Sequence, residues 1–82
     1  MSILDQILEH YSEYTFLLAE GFDDAVIGVD QESWRLIYSV KKCIEILSKD
    51  MPYLDAVEYF DFNVAGAYVG ELTPIWCFDD FQ

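Results

Sequence analysis

The chain has 82 residues, of which 54% are hydrophobic and 17% aromatic, and its 16 acids and four bases give a net charge of −12. A chain of this length supports one hydrophobic core, and its aromatic content is the opposite of a disordered composition. The negative charge repels nucleic-acid phosphates and anionic lipids, which argues against direct binding to DNA, RNA or membranes. No hydrophobic run approaches the ~20 residues of a membrane helix.

The first half of the chain predicts a helix and a β-hairpin. Hydrophobic residues recur at helical spacing from Ser2 to about Ala19, with Ser2 as a good N-cap and Asp5 in the first turn. Two runs rich in β-branched and aromatic residues follow, Ala25–Val29 and Trp34–Tyr38. Because a polar turn separates them, they predict a hairpin.

The second half predicts two helices and a strand. Ser39 can cap a helix over Val40–Lys49, whose hydrophobic and charged residues occupy opposite sides. A third helix begins near Pro52 and is expected to continue to a stop signal at Gly70. Thr73–Phe78 predicts a last strand. The order α-β-β-α-α-β indicates an α+β fold in a single domain over residues 1–82, with a three-stranded sheet covered on one face by helices.

Two residues of the third helix do not suit a helix interior. Asn63 is mildly unfavourable there, and Gly66 costs about 1 kcal/mol relative to alanine. We expect another element to approach closely over Gly66, with Asn63 bonded to a loop such as residues 70–73. The alternative is that these two residues contribute to a ligand site. The hydrophobic side of this helix is expected to include Leu54 and Tyr68.

Three segments form a specific pattern: E-G-F-D-D-A-V-I-G-V (Glu20–Val29), K-C-I-E-I-L (Lys42–Leu47) and D-A-V-E-Y-F-D-F-N-V-A-G-A-Y-V-G-E-L-T-P-I (Asp55–Ile75). The pattern resembles a family of short, functionally uncharacterised proteins of tailed bacteriophages. One departure is Ser39, where the family has Asp, and both residues are good N-caps. The resemblance implies a protein made in the cytoplasm of an infected bacterium, and it implies no catalytic residue or cofactor.

Residue types that carry catalysis or bind metals do not form a recognisable motif. His10, the only histidine, lies between Glu9 and Tyr11 and is interpreted as a surface residue. No closely spaced cysteine or histidine pair occurs, and Asp23 and Asp24, which could hold a divalent cation weakly, more simply form a turn. A core of this size is also expected to have little room for the ~300–1,000 Å³ cleft of a ligand site. We therefore predict no enzyme, no catalytic residue, no cofactor and no metal site.

Carboxylates dominate the predicted surface. On the first helix, Asp5, Glu9 and Glu13 recur every four residues, although like charges at this spacing cost a few tenths of a kcal/mol each. They rise about 6 Å per step, which is of the order of the phosphate spacing in a nucleic acid. A second set on the third helix consists of Asp55, Glu58 and Asp61.

This charge arrangement suggests a function. We hypothesise that the protein mimics a nucleic acid and binds the basic surface of a host protein, such as a nucleic-acid-handling or defence enzyme. The simpler alternative is that the acids only keep a hydrophobic domain soluble.

Aromatic residues suggest a different class of function. Trp34, Trp76, Phe78 and Phe81 are expected at a sheet edge or on an uncovered sheet face. A homodimer that covers this face would make the chain a self-assembling structural or accessory phage protein. In either class, Trp76 and Phe81 are the expected hydrophobic anchors. Cys43 and Cys77 lie in hydrophobic patterns and are interpreted as buried thiols, which fits a cytoplasmic setting.

Overall fold

The computed structural model describes residues 2–81. Its helices are α1 (Ile3–His10), α2 (Val40–Leu47) and α3 (Tyr53–Tyr59), and its strands are β1 (Val26–Val29), β2 (Leu36–Ser39) and β3 (Ile75–Cys77). A 3₁₀ turn (Asp23–Ala25) precedes β1, and a π-helix (Phe60–Ala65) continues α3. The predicted α+β class and the order α-β-β-α-α-β are confirmed. No helix within the described range is long and hydrophobic enough to cross a membrane.

The three strands form one mixed sheet in the order β1-β2-β3. Strands β1 and β2 are antiparallel and form the predicted hairpin, whereas β3 runs parallel to β2 at the other edge. Asp30 holds the hairpin turn, because its Oδ2 accepts hydrogen bonds from Ser33 N at 2.8 Å and Ser33 Oγ at 2.7 Å. These bonds stabilise the carboxylate and lower the pKa of Asp30 below its usual 3.8.

One face of the sheet carries the core. Leu36 and Tyr38 of β2 are fully buried, and Tyr38 pairs with Trp76 of β3, which puts both rings on the same face. The Tyr38 and Trp76 ring centroids are 5.2 Å apart. The predicted edge position of Trp76 is therefore correct, but its ring turns toward the core and does not contribute to an uncovered face. The opposite face carries the paired residues Ile37 and Ile75.

Helix α2 begins where the sequence predicts. The buried Ser39 Oγ accepts a hydrogen bond from Lys42 N at 3.2 Å and donates one to Asp79 Oδ1 at 2.6 Å. Ser39 thus caps α2 and also ties it to the segment that follows β3. Val40 and Cys43 are the buried residues of this helix. Cys43 and Cys77 are both free thiols, but Cys77 is only partly buried, so the interpretation of a buried thiol is wrong for it.

Helix α1 is shorter than predicted, because it ends at His10 and the chain leaves helical geometry well before Ala19. Aromatic contacts redirect the chain at this point. The ring of Tyr14 stacks on Trp34 with centroids 4.3 Å apart and planes 10° apart, and Tyr11 meets Trp34 edge to face at 5.2 Å. Residues 15–19 then run without regular structure to the core, where Ala19 N donates a hydrogen bond to Tyr38 Oη at 2.8 Å.

The third helix also differs from the prediction. It changes from α to π geometry at Phe60 and ends at Gly66, so it does not reach Gly70. Its buried residues are Ala56 and Phe60. The expected inward positions of Leu54 and Tyr68 are wrong, since these side chains are 74% and 78% exposed.

The expected environment of Asn63 and Gly66 is wrong as well. A Cβ on Gly66 would lie 3.1 Å from Asp61 O, a carbonyl of the same helix, and not against another element. Asn63 is exposed. The loop after the helix is held instead by Thr73 Oγ1, which accepts from Val69 N at 3.0 Å and donates to Gly70 O at 2.6 Å. Gly70 has a φ of +114°, which makes glycine the natural residue at this turn.

Candidate functional site

The surface that the structure describes is acidic, and its exposed carboxylates are not held in close ion pairs. Every Asp and Glu except Asp30 is exposed. Among residues 2–81, no carboxylate lies within 4.0 Å of a lysine or arginine nitrogen. Arg35 is occupied within the fold, because its Nε donates to Ser33 Oγ and its Nη1 to Thr73 O. The negative field therefore extends over most of the molecule.

The predicted carboxylate row on α1 is interrupted. Asp5 N donates to Ser2 Oγ at 3.1 Å while Asp5 Oδ2 accepts from Ser2 N at 3.4 Å, so this acid belongs to a capping box. Glu9 is exposed near the end of α1, and Glu13 lies in the turn beyond it. The expectation that Asp5, Glu9 and Glu13 share one helix is therefore wrong for Glu13.

The second predicted set lies on a continuous face. Leu54, Glu58 and Phe62 follow one another at four-residue spacing and are all exposed, which places them along the side of the helix opposite the buried residues. Asp55 and Asp61 are exposed beside them. We call these five residues the outer ridge.

The outer ridge combines charge with hydrophobic area. Leu54 is 74% exposed and Phe62 is 81% exposed, so two large hydrophobic side chains project among three carboxylates. Isolated exposed hydrophobic residues are common, and Glu58 separates Leu54 from Phe62, so the ridge alternates hydrophobic and acidic side chains along its length. The sequence signal that could have identified it is the spacing of Leu54 and Phe62 around Glu58, on the side opposite Ala56 and Phe60.

The two predicted aromatic anchors occupy different environments. Phe81 is 82% exposed and Phe78 is 69% exposed in the segment after β3. Trp76 is only partly exposed, and its ring meets Phe60 edge to face at 5.4 Å. Its Nε1 is buried and has no hydrogen-bond partner within the described chain. Phe81 is thus available to a partner, whereas Trp76 is part of the packed interior.

A cleft of about 520 Å³ lies between residues 17–22, the C-terminal end of α2, the π-helix and the beginning of β3. Its walls are largely hydrophobic, and Trp76 forms part of them. The charged residues that line it are Glu20 and Asp50, and the polar ones include Tyr59 and Asn63. The expectation that so small a domain lacks room for a cleft is therefore wrong, since this volume lies within the ~300–1,000 Å³ of typical ligand sites.

Nucleophilic and metal-binding residues are not assembled into a site. Burial raises the pKa of the Cys43 thiol to about 12, so this sulfur stays protonated and unreactive at neutral pH. His10 is exposed, with its ring 4.6 Å from that of Tyr11. Asp23 and Asp24 lie in the 3₁₀ turn before β1. Within residues 2–81, no group of three or more histidine, cysteine or acidic residues could hold a metal ion.

Comparison with known proteins adds no further information about the site. No family model matches the chain, and neither a curated protein nor a solved structure matches it.

Proposed function

We propose that the protein acts by stoichiometric association with another protein that has a basic surface, and that the outer ridge of α3 and the π-helix is the contact. The observation that carries the proposal is the exposure of Leu54 and Phe62 beside Asp55, Glu58 and Asp61. This face includes the predicted acidic set and adds the hydrophobic anchors that a specific interface needs.

The two components of the ridge contribute differently to binding. Burial of a leucine or phenylalanine side chain is worth about 1.5–3 kcal/mol each, so Leu54 and Phe62 supply affinity. The carboxylates mainly accelerate association with a positively charged partner and select against a negative one. With a net charge of −12, the protein repels nucleic acids, acidic proteins and other copies of itself.

The resemblance to phage proteins supports a more specific form of the proposal. In the cytoplasm of an infected bacterium, proteins with basic grooves include nucleases, polymerases and nucleic-acid-targeting defence complexes. A carboxylate surface that occupies such a groove acts as a nucleic-acid mimic and inhibits or modulates the enzyme. In this form the protein itself performs no catalysis, and Asp5, Glu9 and Glu13 extend the acidic field without being the main contact.

The test uses the tagged protein as bait in bacterial lysate, with washes at low and high salt. Three variants are compared: a ridge-charge variant (Asp55→Asn, Glu58→Gln, Asp61→Asn), a ridge-anchor variant (Leu54→Ser, Phe62→Ser) and a charge control (Asp24→Asn, Glu32→Gln, Asp80→Asn). The control removes the same number of carboxylates from exposed positions away from the ridge. Far-UV circular dichroism verifies that each variant is folded.

We expect one basic protein to be recovered with the wild type and the charge control, and to be lost with both ridge variants. Equal recovery with all four proteins would refute the ridge as the contact. Equal loss in the ridge-charge variant and the charge control would mean that only overall charge matters. The mimicry form is tested by adding duplex DNA to the purified complex. The DNA should displace this protein from its partner, and failure to compete would exclude a shared groove.

Self-association is the second candidate, and exposed Phe78 and Phe81 favour it. Light scattering at low and high salt distinguishes it from the first. A monomer at both salt concentrations contradicts self-assembly, whereas a dimer that is lost in a Phe78→Ser, Phe81→Ser variant would support it.

A further inference from the structure

The cleft is separate from the outer ridge and requires its own explanation. Its walls come from four parts of the chain. Within α3 and the π-helix it is lined by Tyr59, Asn63 and Val64, not by Leu54 or Phe62. The cleft opens to solvent, and its volume of about 520 Å³ is large enough for a small organic ligand.

The charge of the lining limits what can bind. Glu20 and Asp50 are its only charged residues, and no lysine or arginine lines it. An anionic ligand would meet two carboxylates at short range and the repulsion of the whole molecule at long range. A ligand with a hydrophobic body and a positive charge satisfies both the hydrophobic walls and these carboxylates.

The π-helix contributes to the shape of this cleft. It places Asn63 in the lining, while Phe60 remains buried beneath the helix. Short π segments inside helices are uncommon and frequently occur at functional sites. The lining thus includes one side-chain amide, that of Asn63, in addition to the two carboxylates.

We propose that this cleft is a binding site for a small hydrophobic cation, of the class of an arylalkyl amine. The hydrophobic body lies against the walls that include Trp76, and the ammonium group lies near Glu20 and Asp50. This function is independent of the outer ridge, so either proposal can fail without the other.

Phenethylamine is the probe, and its matched analogues are phenethyl alcohol, which is neutral, and phenylacetate, which is anionic. The protein is labelled with ¹⁵N in a Trp34→Phe background, which leaves the indole N–H of Trp76 as a single resolved reporter in the cleft wall. We expect saturable shifts of this signal and of the Asn63 side-chain amide with phenethylamine. The alcohol should bind more weakly and phenylacetate should not bind.

Two pairs of variants test the location and the charge. Glu20→Gln with Asp50→Asn should weaken phenethylamine binding about two- to fivefold for each carboxylate. The matched control, Glu32→Gln with Asp80→Asn, loses the same charge outside the cleft and should bind as the wild type does. Ala67→Phe, which places a ring at an exposed lining position, should abolish binding.

Several results would overturn the proposal. Shifts that do not saturate, or that occur mainly outside the cleft, would show that the amine does not bind there. Equal affinity of the amine and the carboxylate, or equal weakening in the cleft and control variants, would refute the role of Glu20 and Asp50. Since each variant's ¹⁵N spectrum also reports whether the domain is folded, loss of binding through unfolding is recognised directly.

Discussion

Replacement of Tyr38 by phenylalanine removes one oxygen atom that connects the segment after α1 to the sheet. Tyr38 is fully buried, and its hydroxyl accepts a hydrogen bond from Ala19 N at 2.8 Å. In the variant, the ring still fills its place in the core but the amide of Ala19 loses its partner. A buried donor left without a partner costs about 1–3 kcal/mol, and because this bond is only part-buried we expect about 1–2 kcal/mol.

Urea-induced unfolding followed by circular dichroism measures this loss of free energy of unfolding. For a domain of this size, each kcal/mol lowers the melting temperature by roughly 4–8 °C, so a fall of about 4–16 °C is expected. Tyr53→Phe is the matched control, since Tyr53 is 65% exposed. It should change stability by no more than about 0.5 kcal/mol.

The pH dependence gives a second readout of the same side chain. Burial raises the pKa of Tyr38 above its usual 10.0, so its ionisation favours the unfolded chain. The stability that the protonated Tyr38 contributes is fully present below pH 10. It is lost as the pH rises through the pKa that Tyr38 has in the folded protein. The alkaline fall in stability should therefore be smaller in Tyr38→Phe than in Tyr53→Phe. If Tyr38→Phe and Tyr53→Phe have the same urea midpoint and lose stability equally at alkaline pH, the proposed role of this hydroxyl is refuted.

Three further predictions concern single side chains. Ser39→Ala removes both the cap of α2 and its link to the last segment, and should cost about 1–2 kcal/mol in urea unfolding; a stability equal to wild type would contradict the capping role. In the native protein, a colourimetric thiol reagent at pH 8 should modify Cys77 but not the buried Cys43, whose pKa is raised to about 12, and two thiols should react after unfolding. The destabilisation caused by Asp30→Ala should be full above pH 3.8 and should fade as the pH falls through the lowered pKa of Asp30, as measured by melting temperature against pH; a pH-independent effect would exclude the ionised carboxylate as the cause.

Local signals in the sequence were sufficient for the elements that local chemistry determines. Ser39 starts α2 because a serine there can bond the amide of Lys42. The hairpin follows from two runs with strand propensity around Asp30, which closes the turn through its own side chain. The short strand β3 was recognisable from its β-branched and aromatic residues, but its parallel pairing with β2 depends on the fold of the intervening helices.

The end of α1 could not be predicted because a distant residue determines it. The helical spacing of hydrophobic residues continues past His10, yet the rings of Tyr11 and Tyr14 contact the ring of Trp34. Trp34 lies in the turn after β1 and has a φ of +56°. The unfavourable like-charge spacing of Glu9 and Glu13 was a sign that the helix does not continue. The fold avoids this cost by ending the helix at His10, so the spacing of these acids does not by itself indicate a function.

The π-helix resolves the conflict that Asn63 creates for an α-helix. In an α-helix each residue rotates by about 100° about the helix axis. Asn63 would then lie on the same side of the helix as the buried Ala56 and Phe60, and Val64 would be rotated away from that side. A π turn contains more residues, so each residue advances by less. Val64 then follows Phe60 and packs against the core at the base of the cleft, Asn63 lines the cleft from a more exposed position, and Phe62 aligns with Glu58 on the outer ridge. The π-helix therefore contributes to both candidate sites, Asp61 and Phe62 to the outer ridge and Asn63 and Val64 to the cleft, because its smaller advance per residue separates these directions.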